Sequence, residues 1–198
     1  MIAQDRYEDL DVDRYLARID AMADTVRSRV APDAFPEQKV LALNHHLFRE
    51  LEFLGNVDDY YDPRNSFMSE VLRTRRGIPI SVAVVWLEVA QAIGLDAKGV
   101  GFPGHFLVKV RLPYPHEGHV VMDPLSGHSL DKEELQERLA PMFADSGLLR
   151  DGDVVSDDLL AHYLRAATPR EIVARMLRNL QEIHQVQKDW PMLVAVLN

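Results

Sequence analysis

A histidine and an aspartate at the ends of two short apolar runs are the residues best suited to chemistry in this sequence. His105 follows Gly104 and opens an alternating run that continues to Leu112, and Asp123 ends the run HVVMD. If the two runs pair as an antiparallel hairpin with these residues opposite each other, their Cβ atoms lie about 4.5–5.5 Å apart. A carboxylate at that distance can orient an imidazole for proton transfer. The sequence leaves the register open, and a packing role for His105 is the alternative.

The composition limits which groups can act with this pair. The 198 residues include no cysteine, so disulfides, thiolate metal ligands and thiol nucleophiles are all excluded. The formal net charge is -9, which disfavours nucleic acid or an anionic membrane as a partner. The first residues are too polar and acidic for a signal peptide, and no apolar run approaches the roughly 20 residues of a membrane span. We therefore expect a cytoplasmic protein.

Three histidines near Asp123 raise the alternative of a metal site. His116, His119 and His128 lie within a short span around it. The segment HEGH does not have the zincin spacing, in which two histidines are one helical turn apart, and it lies in a predicted turn. We therefore expect solvated turn residues, no metal and no other cofactor.

Hydrophobic spacing predicts the helices that position these residues. Helical periodicity marks residues 15–30 and 40–54 as two amphipathic helices. The segment ISVAVVWLEVAQAI, between Pro79 and Gly94, is apolar almost all round, which predicts a helix buried on most sides. After the hairpin, the chain returns to helix, with two capping boxes in the segments DKEE and TPRE. We expect three helices in this tail.

The turn-rich segment GNVDDYYDPRN precedes the buried helix. Asn65 or Ser66 can cap a short helix that ends near Gly77. Polar and aromatic residues around this segment would form a recognition rim, with loop polarity and helix-terminal cations as the alternative: Tyr60, Tyr61, Asp62, Asn65, Arg73, Arg75 and Arg76.

Three stretches carry a resemblance to a known family: RRGIPISVAVVWLEVAQAIGL, GVGFPGHFLVKV and MDPLSG. They resemble the transglutaminase-like superfamily, which is related to the papain-like proteases, and in particular its bacterial Sir-B-type branch. The resemblance is strongest over residues 43–127. It implies an α+β, transglutaminase-like (papain-like) core, in which a buried central helix packs against a small antiparallel sheet, with helical N- and C-terminal flanks.

The resemblance also implies a division of the chain into three parts. These are an N-terminal helical segment over residues 1–35, the transglutaminase-like core over 36–130 and a C-terminal helical segment over 131–198. Members of the branch usually end in tetratricopeptide-type helices, and residues 179–198 would begin one such repeat. Because repeats need neighbours to bury their faces, we expect either a truncated chain or an unusually short member.

The resemblance implies a Cys-His-Asp triad, in which His105 and Asp123 match two members. The cysteine belongs at the N-terminus of the buried helix, where the helix dipole lowers a thiol pKa. Counting back from Gly94, that position falls on Pro79, which has no nucleophile. We therefore expect a vestigial triad of Pro79, His105 and Asp123, without thiol chemistry.

Ser81 is the alternative nucleophile. It lies two residues beyond Pro79, about 200° around the helix axis, and a serine in a first turn can instead satisfy backbone donors. A serine hydrolase or acyltransferase using Ser81, His105 and Asp123 therefore stays as the alternative. We favour a non-catalytic protein- or peptide-binding or regulatory module, of unpredicted oligomeric state. Its binding cleft would contain Tyr60, Tyr61, Asn65, Arg76, Ser81, His105 and Asp123.

Overall fold

Two helices open the described part of the chain, as the hydrophobic spacing predicts. The computed structural model describes residues 7, 9–113, 117–145 and 155–197. In it, α1 spans Val12–Arg27 and α2 spans Pro36–Asn44. The periodic stretch after α2 is not α-helical but forms a π-helical turn, His45–Glu50. Its wider winding allows His45 and the adjacent His46 to contact the same carboxylate of Glu50, at 3.1 and 2.8 Å.

Two short parallel strands bracket the segment before the central helix. β1 is Leu54–Gly55 and β2 is Arg76–Gly77. Between them lie a 3-10 turn, Pro63–Ser66, and the helix α3, Met68–Thr74. The pairing of β1 with β2 thus holds the start of the turn-rich segment beside the residues that precede the central helix.

The predicted cap at Asn65 or Ser66 is wrong, because α3 begins only at Met68. The Asn65 amide instead donates to the carbonyl oxygens of Asp59 and Tyr60, at 2.7 and 3.1 Å. It therefore closes the preceding loop and does not start a helix.

The predicted buried helix is confirmed as α4, Pro79–Ala92. Proline suits the first position, because its fixed φ matches the helix and its missing N–H would have no intrahelical partner. Trp86 is only 1% exposed and lies in the largest hydrophobic cluster. That cluster draws residues from several elements, including Val26, Leu43 and Val108.

Four antiparallel strands form the sheet: β3 (Ala97–Val100), β4 (Leu107–Leu112), β5 (Gly118–Met122) and β6 (Ser129–Leu130). The predicted hairpin is confirmed as β4 and β5, with Val108 opposite Met122. The short edge strands β3 and β6 were not predicted, because four or two residues are too few to establish a period of two.

The described tail contains four helices, so the prediction of three is wrong. They are α5 (Lys132–Asp145), α6 (Asp157–Tyr163), α7 (Pro169–Gln187) and α8 (Trp190–Leu197). Both capping boxes are confirmed: Asp131 with Glu134, and Thr168 with Glu171. The further helix, α6, begins where the Ser156 hydroxyl accepts from a backbone N–H in the first turn.

The flanking helices complete the cores of the central region. From α1, Met22 and Val26 lie in the large cluster, and Ile172 and Met176 of α7 pack against it. A second cluster joins the opposite side of the sheet to α5 and α6, and includes Leu139. Among the helices of the described ranges, none combines the length and apolarity required to cross a membrane.

Candidate functional site

His105 and Asp123 form a hydrogen-bonded pair, with Nε2 of His105 3.0 Å from Oδ2 of Asp123. The two side chains are close, but they do not lie directly opposite each other in the hairpin, whose register the sequence left open. Leu107 is the first residue of β4, so His105 precedes that strand, and Asp123 follows β5. Gly104 has a φ of 66°, and the His105 N–H donates to the Phe102 carbonyl at 3.2 Å. A glycine-dependent turn therefore places the imidazole.

The Asp123 carboxylate is held from several sides. Its Oδ1 accepts the Leu125 N–H at 2.9 Å, and Nη1 of Arg138 lies 3.6 Å from its Oδ2. Burial raises the pKa of Asp123, but the hydrogen bonds from His105 and Leu125 and the charges of His105 and Arg138 outweigh it, so the pKa lies below its ordinary value. An ionised carboxylate thus orients a histidine ring that is 21% exposed.

Asn44 joins the Asp123 loop to the central helix. Its Oδ1 accepts from Trp86 Nε1 at 2.8 Å, and its Nδ2 donates to the Gly127 carbonyl at 3.1 Å. A Cβ on Gly127 would lie 2.8 Å from that same Nδ2, so the close approach requires glycine. Sequence reasoning missed Asn44, although a buried tryptophan usually needs a partner for its indole N–H.

Arg175 of α7 holds the backbone of the turn that carries His105. Its Nη1 donates to the Phe102 carbonyl at 3.1 Å and its Nη2 to the His105 carbonyl at 2.8 Å. Its guanidinium also lies 5.7 Å from the centre of the Phe106 ring. Sequence reasoning missed Arg175 because its contacts are about 70 residues away in sequence.

Ser81 is fully buried and bonded to its own helix start. Its Oγ accepts the Ile78 N–H at 3.1 Å and donates to the Ile78 carbonyl at 3.0 Å. The predicted role in satisfying a backbone donor is confirmed. A hydroxyl has one proton to donate, and here the acceptor is a carbonyl oxygen and not His105. A Cβ on Gly77 would lie 2.5 Å from this Oγ, so the surrounding packing is close.

In the described part of the chain, the other predicted site residues form no hydrogen bond with the His105–Asp123 pair. Pro79 is the half-buried first residue of α4. Nη1 of Arg76 donates to the Glu52 carbonyl at 2.8 Å. Tyr60 and Tyr61 are exposed on the loop that Asn65 closes, with their rings edge to face at 5.4 Å. The structure therefore brings together His105 and Asp123, and it adds Arg138, Asn44 and Arg175.

No metal-binding group of three or more His, Asp or Glu side chains occurs in the part of the chain that the structure describes. His119 is exposed on β5, and His128 lies 3.7 Å from Glu134. His116 lies outside the described residues. The absence of a bound metal stays a prediction.

The buried helix, the small antiparallel sheet and the His–Asp pair beside it define a transglutaminase-like α+β domain. The sequence agrees: a family model described as Transglutaminase-like superfamily matches residues 13–178. This chain therefore belongs to the transglutaminase-like superfamily.

Curated relatives extend the comparison. The chain is 42% identical over 191 residues to a UPF0162 protein of Xylella fastidiosa (strain 9a5c), a match that covers 96% of this chain and 64% of the relative. It is 34% identical over 135 residues to UPF0162 protein PA3419 of Pseudomonas aeruginosa, covering 68% of this chain and 44% of the relative. The chain thus spans less than two thirds of these relatives.

A shorter match reaches a eukaryotic protein. F-box only protein 21 of Homo sapiens is 43% identical over 68 residues, which is 34% of this chain and 11% of that protein. No solved structure matches the chain significantly.

Proposed function

We propose that this chain is a non-catalytic transglutaminase-like protein that binds a peptide or protein segment beside His105 and acts as a regulatory module. The observation that supports the non-catalytic assignment is the hydrogen bonding of the Ser81 hydroxyl to the backbone of Ile78. A nucleophilic serine needs a base within about 2.6–3.2 Å, and this hydroxyl donates to a backbone carbonyl in a fully buried position. With no cysteine in the chain and the Ser81 hydroxyl engaged, neither nucleophile that the sequence suggests is available to the His105–Asp123 pair.

The exposed loop before the 3-10 turn supports a binding role. Val57, Tyr60 and Tyr61 are all exposed, and Val57 is 82% exposed. The loop is held against α7, because the Gln187 side chain donates to the Tyr61 carbonyl at 3.2 Å. Rigidly placed tyrosines with one apolar face and a polar tip are frequent anchors in protein interfaces.

We also propose that the chain belongs to the Sir-B-type branch, acts in the cytoplasm, and continues in longer relatives as a tetratricopeptide-type array. The helices α7 and α8 support the last point, because Leu180 and Val196 pack together in a cluster with Phe67. Helical repeat arrays present extended surfaces that suit peptide partners. The serine hydrolase or acyltransferase alternative is disfavoured, since Ser81 is fully buried and donates to the Ile78 carbonyl and not to His105.

A peptide-display selection against the immobilised chain tests the binding role. We expect enriched peptides whose affinity falls about tenfold or more for Tyr60→Ser or Tyr61→Ser, because truncation of an interface aromatic commonly costs over 1 kcal/mol. Phe35→Ser is the matched control, because Phe35 is also an exposed aromatic but lies at the start of α2. Peptides that bind all four proteins equally, or a selection without enrichment, would contradict the proposal.

A further inference from the structure

A cleft of about 220 Å³ lies between the segment after β3, the end of α6 and the start of α7. The Ala167 N–H donates to the Gly99 carbonyl at 2.8 Å and fixes the start of α7 against the sheet edge. The walls combine cations and aromatic rings with a single carboxylate: Phe106, Tyr163, Arg165, Glu171, Arg175 and Arg178.

The carboxylate of Glu171 is already engaged. It accepts from the Thr168 N–H at 2.8 Å, from the Thr168 hydroxyl at 3.0 Å and from Arg165 at 2.8 Å. The Thr168 N–H and these other partners lower the pKa of Glu171 to about 2. The charge of Arg165 is therefore compensated, and Glu171 is committed to its own helix start.

The guanidinium groups of Arg175 and Arg178 also line the cleft, and their positive charges are not balanced by a paired carboxylate in the described ranges. Arg175 donates to two carbonyl oxygens, and Nε of Arg178 donates to the Ala174 carbonyl at 3.2 Å. Burial lowers the pKa of Arg175, and the charge of Arg178 lowers it further. A half-buried cation beside a like charge, with no carboxylate paired to either arginine in the part of the chain that the structure describes, favours an anionic ligand.

We propose that this cleft binds a carboxylate carried by an extended peptide, either an acidic side chain or a free C-terminus. The inference rests on the proposed peptide-binding function and specifies the chemistry of its ligand. The planar donor fork of arginine matches a carboxylate, and the half-buried ring of Tyr163 can contact an apolar neighbouring residue. Because Arg175 also holds the His105 carbonyl, an occupied cleft acts directly on the segment that carries the imidazole.

Titration of the isotope-labelled chain with N-acetyl-Phe-Glu, followed by amide NMR, tests this inference. We expect saturable shifts at the amides of Gly101 and Ala167, at least tenfold weaker binding of the uncharged diamide, and weaker binding at higher salt. The two monoamides, N-acetyl-Phe-Gln and N-acetyl-Phe-Glu amide, show whether the bound carboxylate is the C-terminus or the acidic side chain. Arg178→Gln should weaken binding of the diacid about tenfold. Arg170→Gln is the matched control, because Arg170 is an exposed arginine of the same helix that does not line the cleft.

Three outcomes would overturn the carboxylate assignment. These are equal binding of the diacid and the diamide, absence of shifts at the cleft amides, and displacement of the diacid by inorganic phosphate at lower concentration than acetate. None of them decides the proposed function, which depends on the selected peptides and the Tyr60 and Tyr61 variants. If the selected peptides bind more weakly to Tyr60→Ser but equally well to Arg178→Gln, the proposed peptide-binding function would stand, and this cleft would not be part of the binding site.

Discussion

The side-chain amide of Asn44 accepts a hydrogen bond from the Trp86 indole at 2.8 Å and donates one to the loop that carries Asp123. One residue of α2 thus connects the largest side chain of the buried helix with the acidic member of the His–Asp pair. The position of the carboxylate therefore depends on the hydrophobic core as well as on the hairpin.

Asn44→Ala should lower the free energy of unfolding by about 1–3 kcal/mol, because the buried Trp86 N–H would lose its acceptor. Urea denaturation measures the loss, and the exposed Gln185→Ala of α7 serves as the control. In a Trp86→Phe background the same Asn44 change should cost clearly less, since no indole N–H remains. An equal cost in both backgrounds would show that the hydrogen bond contributes nothing.

Trp86→Ala should lower the free energy of unfolding by about 3–5 kcal/mol, because it leaves a cavity in a closely packed interior. Chemical denaturation with unchanged far-UV circular dichroism of the folded state provides the measurement. A loss below roughly 1 kcal/mol would mean that α4 is not central to the core.

Ser81→Ala should act on stability and not on reactivity. The loss should be about 1–3 kcal/mol, because the buried Ile78 N–H would have no acceptor. In the unmodified protein, a fluorophosphonate probe should leave Ser81 unlabelled, as followed by peptide mass spectrometry. Stoichiometric labelling that His105→Ala abolishes would restore the hydrolase alternative.

Asp123 should titrate below its ordinary pKa, and His105→Ala should raise that pKa, because burial would remain while a hydrogen bond and a charge are lost. Carbon NMR of the carboxyl group measures both values. Since the folded-state pKa is lowered, Asp123 stabilises the protein above about pH 3.9, and this contribution is lost as the pH falls through the folded-state pKa. The gap in stability between wild type and Asp123→Asn should accordingly narrow in acid. A difference in stability that does not change with pH would contradict the lowered folded-state pKa of Asp123.

If Pro79 occupies the nucleophile position that the resemblance implies, Pro79→Cys should create a thiol whose pKa lies well below about 8.5, because the helix N-terminus and the His105 imidazole would both favour the thiolate. The rate of reaction with iodoacetamide against pH measures this pKa. Pro36→Cys is the matched control, because Pro36 is also a half-buried first residue of a helix but lies outside the His105 site.

The double variant Pro79→Cys with His105→Ala should react like the Pro36→Cys control. We expect no substrate turnover from either variant, since an oxyanion hole is a separate requirement. If the Pro79→Cys thiol titrates near the ordinary value in a folded protein, Pro79 does not occupy the nucleophile position that the resemblance implies.

Elements with a strong local signal were predictable. The buried helix, the hairpin and both capping boxes are encoded within a few residues of each element, by apolar content, alternation and paired side chains. The proximity of His105 and Asp123 followed from the hairpin, although the turn at Gly104 changed how they meet.

Features made by distant segments were not predictable from the sequence. Asn44 and Arg175 are ordinary polar residues of amphipathic helices, and only the packing of those helices reveals which backbone or indole group each one reaches. The π-helical turn likewise brings His45 and His46 to the same carboxylate of Glu50, and helical periodicity does not signal this change of winding.

The two hydrogen bonds from Arg175 to the carbonyls of Phe102 and His105 also set an order in time. A ribosome adds about 5–20 residues per second from the N-terminus, so His105 is synthesised several seconds before the arginine that holds its backbone. During that interval the hairpin and α4 can form, but the His105 segment lacks its anchor. The site is therefore completed only when α7 has left the exit tunnel.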